Sequence, residues 1–213
     1  MGRRETKKEA TKKKILEVSL RLFQSEGFGK TTMRDIAAKC GIALGTTYNY
    51  FPTKEHLALY FFESALDEVM ARYRKEEPPG ASLEEKLFLL LSIELERVAP
   101  YEEFLNLVVT HAVVPGSRLH PFSLDSQRLK AKYLGFVAGL IEEAKDRGEI
   151  TTFGMDEMVL SAFWIYHLGI MMFWLNDASR KKEDTYVLLD KSLRFILSAL
   201  RGRPAPPPRK GRR

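Results

Sequence analysis

In the first 54 residues Gly27, Gly41 and Pro52 interrupt a pattern that is otherwise helical. Glycine just past a helix end, and proline just before a new helix, are natural stops and starts. Between them apolar residues recur at three and four positions, as in Ile15, Val18, Leu22 and Phe23, and strand-type alternation is absent. The fold class this implies is all-α, with an N-terminal three-helix helix-turn-helix followed by a larger C-terminal helical domain.

The punctuation sets the segments. The first helix stops at Gly27. A second begins at Thr32, where Thr32 and Asp35 fit a capping box, and ends before Gly41. A third covers 43 to 50, and Pro52 and Thr53 open a long helix ending near 76, before "EEPPGAS". Further helices are expected at 82–99, 101–113, 123–147, 155–177 and 183–200, with "PGSRLHPF" at 115–122 an irregular connector that reads as an ordinary link between two of them, with a mobile gate the alternative. The implied domains are 1–54, with the connecting helix 53–76, then 55–200, and then a disordered basic tail, 201–213, whose prolines forbid a helix.

Charge is segregated. Segments 1–54, 55–200 and 201–213 carry +7, −7 and +6, within a net charge of +6 over 213 residues. Basic ends permit a nucleic-acid partner. The single cysteine, Cys40, excludes a disulfide framework and suits a reducing, cytoplasmic setting. The basic N-terminus lacks the apolar run of a secretory signal. Gly2 and Thr6 match a short myristoylation pattern of the kind that recurs by chance. The longest apolar run, 162–175, is shorter than the roughly 18 residues of a membrane span and contains His167. It reads as a buried helix, and no membrane partner is expected.

Three short helices with the tight turn "CGIA" have helix-turn-helix spacing. A helix of about seven residues is roughly 10 Å long and fits a major groove about 12 Å wide. Ile36 and Ala37 brace the third helix from behind, and small residues at Ala37, Ala38 and Gly41 permit a close crossing. Leu44 with Tyr48, and Gly45 with Asn49, share one face of that helix, while Thr47 and Phe51 share another. Thr32, Thr46, Tyr50 and Lys54 lie at helix starts or at the rim, where hydroxyls, an ammonium and free N–H groups meet phosphate. The run Lys12, Lys13 and Lys14 is a further candidate for phosphate contact or a solvated face.

The stretch "TTMRDIAAKCGIALGTTYNYFPTKEHL" resembles the DNA-binding signature of the TetR family of bacterial transcriptional regulators. The resemblance covers roughly residues 10 to 60, with its elements in order and at the family's spacing. It implies a homodimer on double-stranded DNA, and a C-terminal helical domain that binds a small-molecule effector and dimerises through its last two helices. Carried onto this chain, it puts phosphate contacts at Thr32, Thr46, Tyr50 and Lys54 and groove contacts at Leu44, Gly45 and Tyr48; helical geometry adds Asn49. Position 43, often a capping Ser in the family, is Ala here, a loss on the order of 1 kcal/mol. Position 47, usually apolar, is Thr, tolerable if its hydroxyl bonds to the preceding turn.

The helix at 155–177 is apolar nearly all round, which demands burial on every side. Its own domain supplies one side and a second subunit the other. Phe163, Tyr166, Ile170 and Phe173, with Leu189, Leu193 and Ile196, are the expected dimer interface. A two-fold dimer places recognition helices about 34–36 Å apart and predicts a palindromic operator. Candidate effector contacts are Phe104, Val108, His111, Phe136, Leu140, Trp164, His167 and Met171, which together suggest an apolar cavity for a lipophilic or aromatic compound.

No enzyme, metal site or cofactor is expected, because the four histidines lack ligand spacing and no phosphate-cradling glycine loop is present. The functional expectation is a repressor released from its operator by an effector. The alternative on the same fold is an effector-independent DNA-binding protein of architectural or cell-division type.

Overall fold

The computed structural model describes residues 3–112, 116–121, 123–152 and 154–201, so the expected tail lies, beyond Arg201, outside the described residues. Among them every regular element is helical: α1 (Arg3–Glu26), α2 (Met33–Cys40), α3 (Leu44–Tyr50), α4 (Lys54–Glu76), α5 (Leu83–Val98), α6 (Glu102–Ala112), α7 (Leu124–Asp146), α8 (Asp156–Asn176) and α9 (Glu183–Leu200). Two 3-10 turns, Ala99–Tyr101 and Arg180–Lys182, precede α6 and α9. The all-α class is observed. α1 reaches upstream of its apolar stripe because "RRETKKEATKKK" is rich in Arg, Lys, Glu and Ala, all strong helix formers.

The chain divides into two compact units. The first comprises residues 1–75 and 93–133, and the second 76–92 and 134–213. The boundary expected after residue 54 follows the motif, whereas packing keeps α4 and α6 with the helix-turn-helix.

The first unit is built on an aromatic core. Phe23 lies 4.8 Å from Phe28 and is stacked 5.6 Å from Phe104, while Phe61 meets Phe104 edge-on at 5.3 Å. Ile15, Ile36 and Leu57 close around these rings with no exposed surface. Each such side chain contributes about 1.5–3 kcal/mol by burial, which holds helices too short to persist alone. Gly41 ends α2 in the left-handed region at φ 67°, letting its N–H and that of Ile42 reach back to Ala38 and Ala37. Thr47 is wholly buried, yet its hydroxyl has no hydrogen-bond partner among the described residues. The expected bond to the preceding turn is therefore not made, because the side chain points into the core.

In the second unit the buried Lys86 ammonium bridges Glu77 and Glu143, each at 2.7 Å. The α8–α9 corner turns on Asp177, whose buried carboxylate accepts bonds from the N–H of Ser179 and from the N–H and hydroxyl of Thr185, at 2.6–2.9 Å. Burial opposes its charge, but these donors prevail and hold the carboxyl well below the usual range.

Within its own unit α8 is covered only in part. Phe163, Trp164, His167, Ile170 and Trp174 are buried, but Met158, Ile165, Met172 and Phe173 are exposed, Ile165 at 62%. On α9, Val187, Leu188, Phe195 and Ile196 are exposed, Phe195 at 79%. Four residues expected at the dimer interface, Phe163, Ile170, Leu189 and Leu193, instead lie in the unit's own core. Tyr166 is half-buried with its hydroxyl 2.8 Å from Ser192 Oγ, and of the expected set only Phe173 and Ile196 are exposed. Periodicity marks the apolar stripes on a helix without saying which one its own chain covers. By length and composition α8 also suffices to cross a membrane, at mean hydropathy 1.7.

Two predictions follow from this packing. Thr47→Val removes a buried hydroxyl that has no partner and is expected to raise stability by about 1 kcal/mol, read as a higher urea midpoint at unchanged slope. Asp177→Asn is expected to lower Tm by several °C at pH 7. Since the folded carboxyl's pKa is depressed, its stabilising charge is present above the unfolded value of about 4 and is lost as pH falls toward the folded one. The gap between wild type and variant should therefore narrow below about pH 4, and a constant gap down to pH 2 contradicts the carboxylate's role.

Candidate nucleic-acid interface

α2 packs against both α1 and α3, with Ile36, Ala37 and Cys40 buried. Its start is fixed by the capping box: Thr32 N–H donates to Asp35 Oδ2 at 2.9 Å, and Asp35 N–H donates to Thr32 Oγ1 at 3.2 Å. The Thr32 hydroxyl also donates to Asp35 at 2.6 Å, and this bond first, then the backbone one, holds the Asp35 carboxyl below its usual range.

α3 begins at Ala43 without a side-chain cap, as the sequence foretold. The Ala43 carbonyl accepts from Thr46 and Thr47 N–H at 2.9 and 3.2 Å, and Thr47 turns inward. Leu44 and Tyr50 are half-buried against the core, and Thr46 is half-buried. What α3 presents outward is Gly45, Asn49 and Tyr48, the last 47% exposed. Gly45 has ordinary helical backbone, and a Cβ added there would meet nothing within 4 Å. A glycine costs a helix roughly 0.5–1 kcal/mol relative to alanine, so nothing inside the chain accounts for it.

Two expected phosphate contacts are corrected. Both donors of Thr32 are taken by Asp35, so its role is to cap α2. The Lys54 ammonium points inward, donating to the carbonyls of Phe28 (2.6 Å), Gly29 (3.2 Å) and Thr31 (3.4 Å), and sits 4.7 Å above the Phe28 ring. It braces the loop between α1 and α2. Lys12 is likewise drawn aside, 3.4 Å from Glu9 and over the Tyr60 ring. Arg34, in "TTMRD", is exposed in the first turn of α2 and adds a cation beside the capping box. Cys40 is buried and its thiol pKa is pushed up by that burial, which does not suit a nucleophile.

The expected effector contacts do not form one set. Phe104 and Val108 are core residues of the first unit, and His111 packs edge-on to Phe28 at 5.0 Å with Nδ1 donating to the Leu107 carbonyl at 2.7 Å. Phe136, Leu140, Trp164, His167 and Met171 lie in the second unit, on α7 and α8, with the Trp164 and His167 rings 5.3 Å apart. Among the described residues no His, Cys, Asp and Glu group suits a metal ion.

Residues 15–61 match the bacterial regulatory proteins of the tetR family, and residues 86–206 match the tetracyclin repressor-like C-terminal domain. The HTH-type transcriptional regulator YerO of Bacillus subtilis is 31% identical over 49% of this chain and 37% of its own, so the chain spans well under half of that relative. The fatty acid metabolism regulator protein of the same organism is 24% identical over 87% of this chain and 93% of its own. In fold, the chain resembles Thermus thermophilus FadR, a repressor solved with lauroyl-CoA, at TM-score 0.69 and 23% identity over 92% of this chain and 98% of that one. The second of the matched domains alone spans more than half of the sequence, and the chain belongs to the tetR family of bacterial regulators.

Proposed function

We propose that this protein is a sequence-specific DNA-binding transcriptional regulator, a cytoplasmic homodimeric repressor that a lipophilic effector releases from a palindromic operator. The observation that carries the DNA reading is Gly45. A helix held out by its buried side, with a glycine that its own fold does not need, fits a backbone that must approach another molecule closely. Exposed Tyr48 and Asn49 supply ring and amide for base edges, and Arg34 a charge for phosphate.

Dimerisation is supported by the exposed apolar stripes of α8 and α9, since soluble chains rarely leave such a face in water. One-sided exposure opposite a packed stripe fits a second copy better than lipid, which would tolerate apolar residues all round. The revised contact set is Met158, Ile165, Met172, Val187, Leu188 and Phe195, together with Phe173 and Ile196. For the effector, the relatives named for fatty acid metabolism and for lauroyl-CoA favour a fatty acyl thioester. Phe136, Leu140, Trp164, His167 and Met171 are the residues proposed to meet its chain.

DNA selected by the wild-type protein from a random pool supplies the test. Gly45→Ala should bind that DNA at least tenfold more weakly while its stability stays level or rises by about 0.5–1 kcal/mol; undiminished affinity contradicts the role of α3. Lauroyl-CoA should release the wild-type complex at concentrations where coenzyme A alone does not. Retention with every acyl chain length favours the effector-independent reading. In a separate check, Phe195→Lys should shift the chain to monomer in native mass spectrometry and abolish cooperative binding to paired half-sites.

A further inference from the structure

The first unit carries a groove that the DNA reading leaves unused. It holds about 560 Å3 and is lined by one face of α1, one face of α4, and Arg97 and Tyr101. Small-molecule sites run to roughly 300–1,000 Å3. Buried Leu16, Leu20 and Phe61, with the half-buried rings of Tyr60 and Tyr101, give it an apolar lining. Along α1, Glu5, Glu9, Lys13 and Glu17 follow at every fourth position, about 6 Å apart along the axis.

The charges that line this groove are unbalanced, Glu5, Glu9, Glu17 and Glu68 against Lys13 and Arg97, and Lys12 beside it leaves the carboxylates still in excess. Glu68 is paired with Arg97, and Glu9 is 3.4 Å from both Lys12 Nζ and the Tyr60 hydroxyl. Among the described residues Glu5 and Glu17 have no ion pair. The rings already attract cations of the chain itself. The Arg97 guanidinium lies 5.4 Å from the Tyr101 centroid and 5.8 Å from that of Phe61, and the Lys12 ammonium lies 5.2 Å from that of Tyr60. Burial, and then the negative field of Glu9, Glu63 and Asp67, push the Tyr60 hydroxyl's pKa up.

We infer that this groove binds an organic cation with an apolar or aromatic body. Leu16, Leu20 and the rings receive the body, and Glu5 and Glu17 receive the charge. An anionic amphiphile of similar shape meets unpaired carboxylates instead, so this site and the proposed acyl site select opposite charges.

Tetraphenylphosphonium and tetraphenylborate share a shape and differ in charge. Calorimetric titration of the full chain, without DNA, should show the cation binding at least tenfold more tightly than the anion, and more weakly as salt rises. The double variant Glu5→Gln with Glu17→Gln, both exposed positions, should weaken the cation at least fivefold at unchanged circular dichroism. Lys13→Gln should tighten it, an outcome that no loss of folding produces. No binding of the cation, equal binding of the two ions, or a cation affinity that neither charge variant moves would each overturn the assignment. With no DNA present, such failure leaves the reading of α3 untouched.

Discussion

The proposed DNA-facing end depends on holding a helix that cannot hold itself. α3 has seven residues and no capping side chain, well below the roughly 12–15 residues at which an isolated helix becomes even marginally stable. Its order comes from behind. Thr47 and Phe51 turn inward, α2 is pinned by its capping box and by the Gly41 turn, and the loop before α2 is gripped by Lys54. That ammonium sits over Phe28, which packs on Phe23 and on His111 of α6. One aromatic cluster thus positions the loop, the loop positions α2, and α2 positions α3.

The second unit follows a different logic. α8 has apolar residues on all sides, and its own unit covers only part of them. The exposed methionines Met158 and Met172 belong to that uncovered part, and methionine adapts to irregular partners at little cost. The order of the α8–α9 corner therefore bears on the whole face, because Asp177 and Thr185 fix where α9 begins and hence how its exposed stripe lies beside that of α8. A buried carboxylate satisfied by three donors is a stiff joint.

Much of this was legible in the sequence. Local chemistry read correctly: the Thr32–Asp35 box, the Gly41 stop, the uncapped Ala43 and the shared face of Thr47 and Phe51 all involve residues a few positions apart. Apart from Thr32, whose capping partner lies three residues away, the errors share one cause, which is distance along the chain. Lys54 was assigned to phosphate because its partners are the carbonyls of Phe28, Gly29 and Thr31, 23 to 26 positions away, and carbonyls carry no sequence signal. Phe104 and Val108 looked like cavity walls because an apolar residue of α6 reads the same whether it meets a ligand or Phe23. Phe163, Ile170, Leu189 and Leu193 failed similarly, since helical periodicity finds an apolar stripe and not its neighbour.

α1 carries two faces with different tasks. Ile15, Val18, Leu22 and Phe23 lie in the core that backs α2, while Glu5, Glu9 and Glu17 face the groove. A ligand in the groove alters the proposed DNA affinity only by as much as it prefers one position of α1 over another, and by reciprocity DNA then alters the ligand's affinity by the same factor. Leu16 and Leu20 belong to both the groove and the core, so a body pressed between α1 and α4 acts on packing that is dense and resists continuous deformation. Coupling of this kind runs through one rigid helix, which lines the groove with one face and packs on α2 with another, and α2 in turn packs on α3.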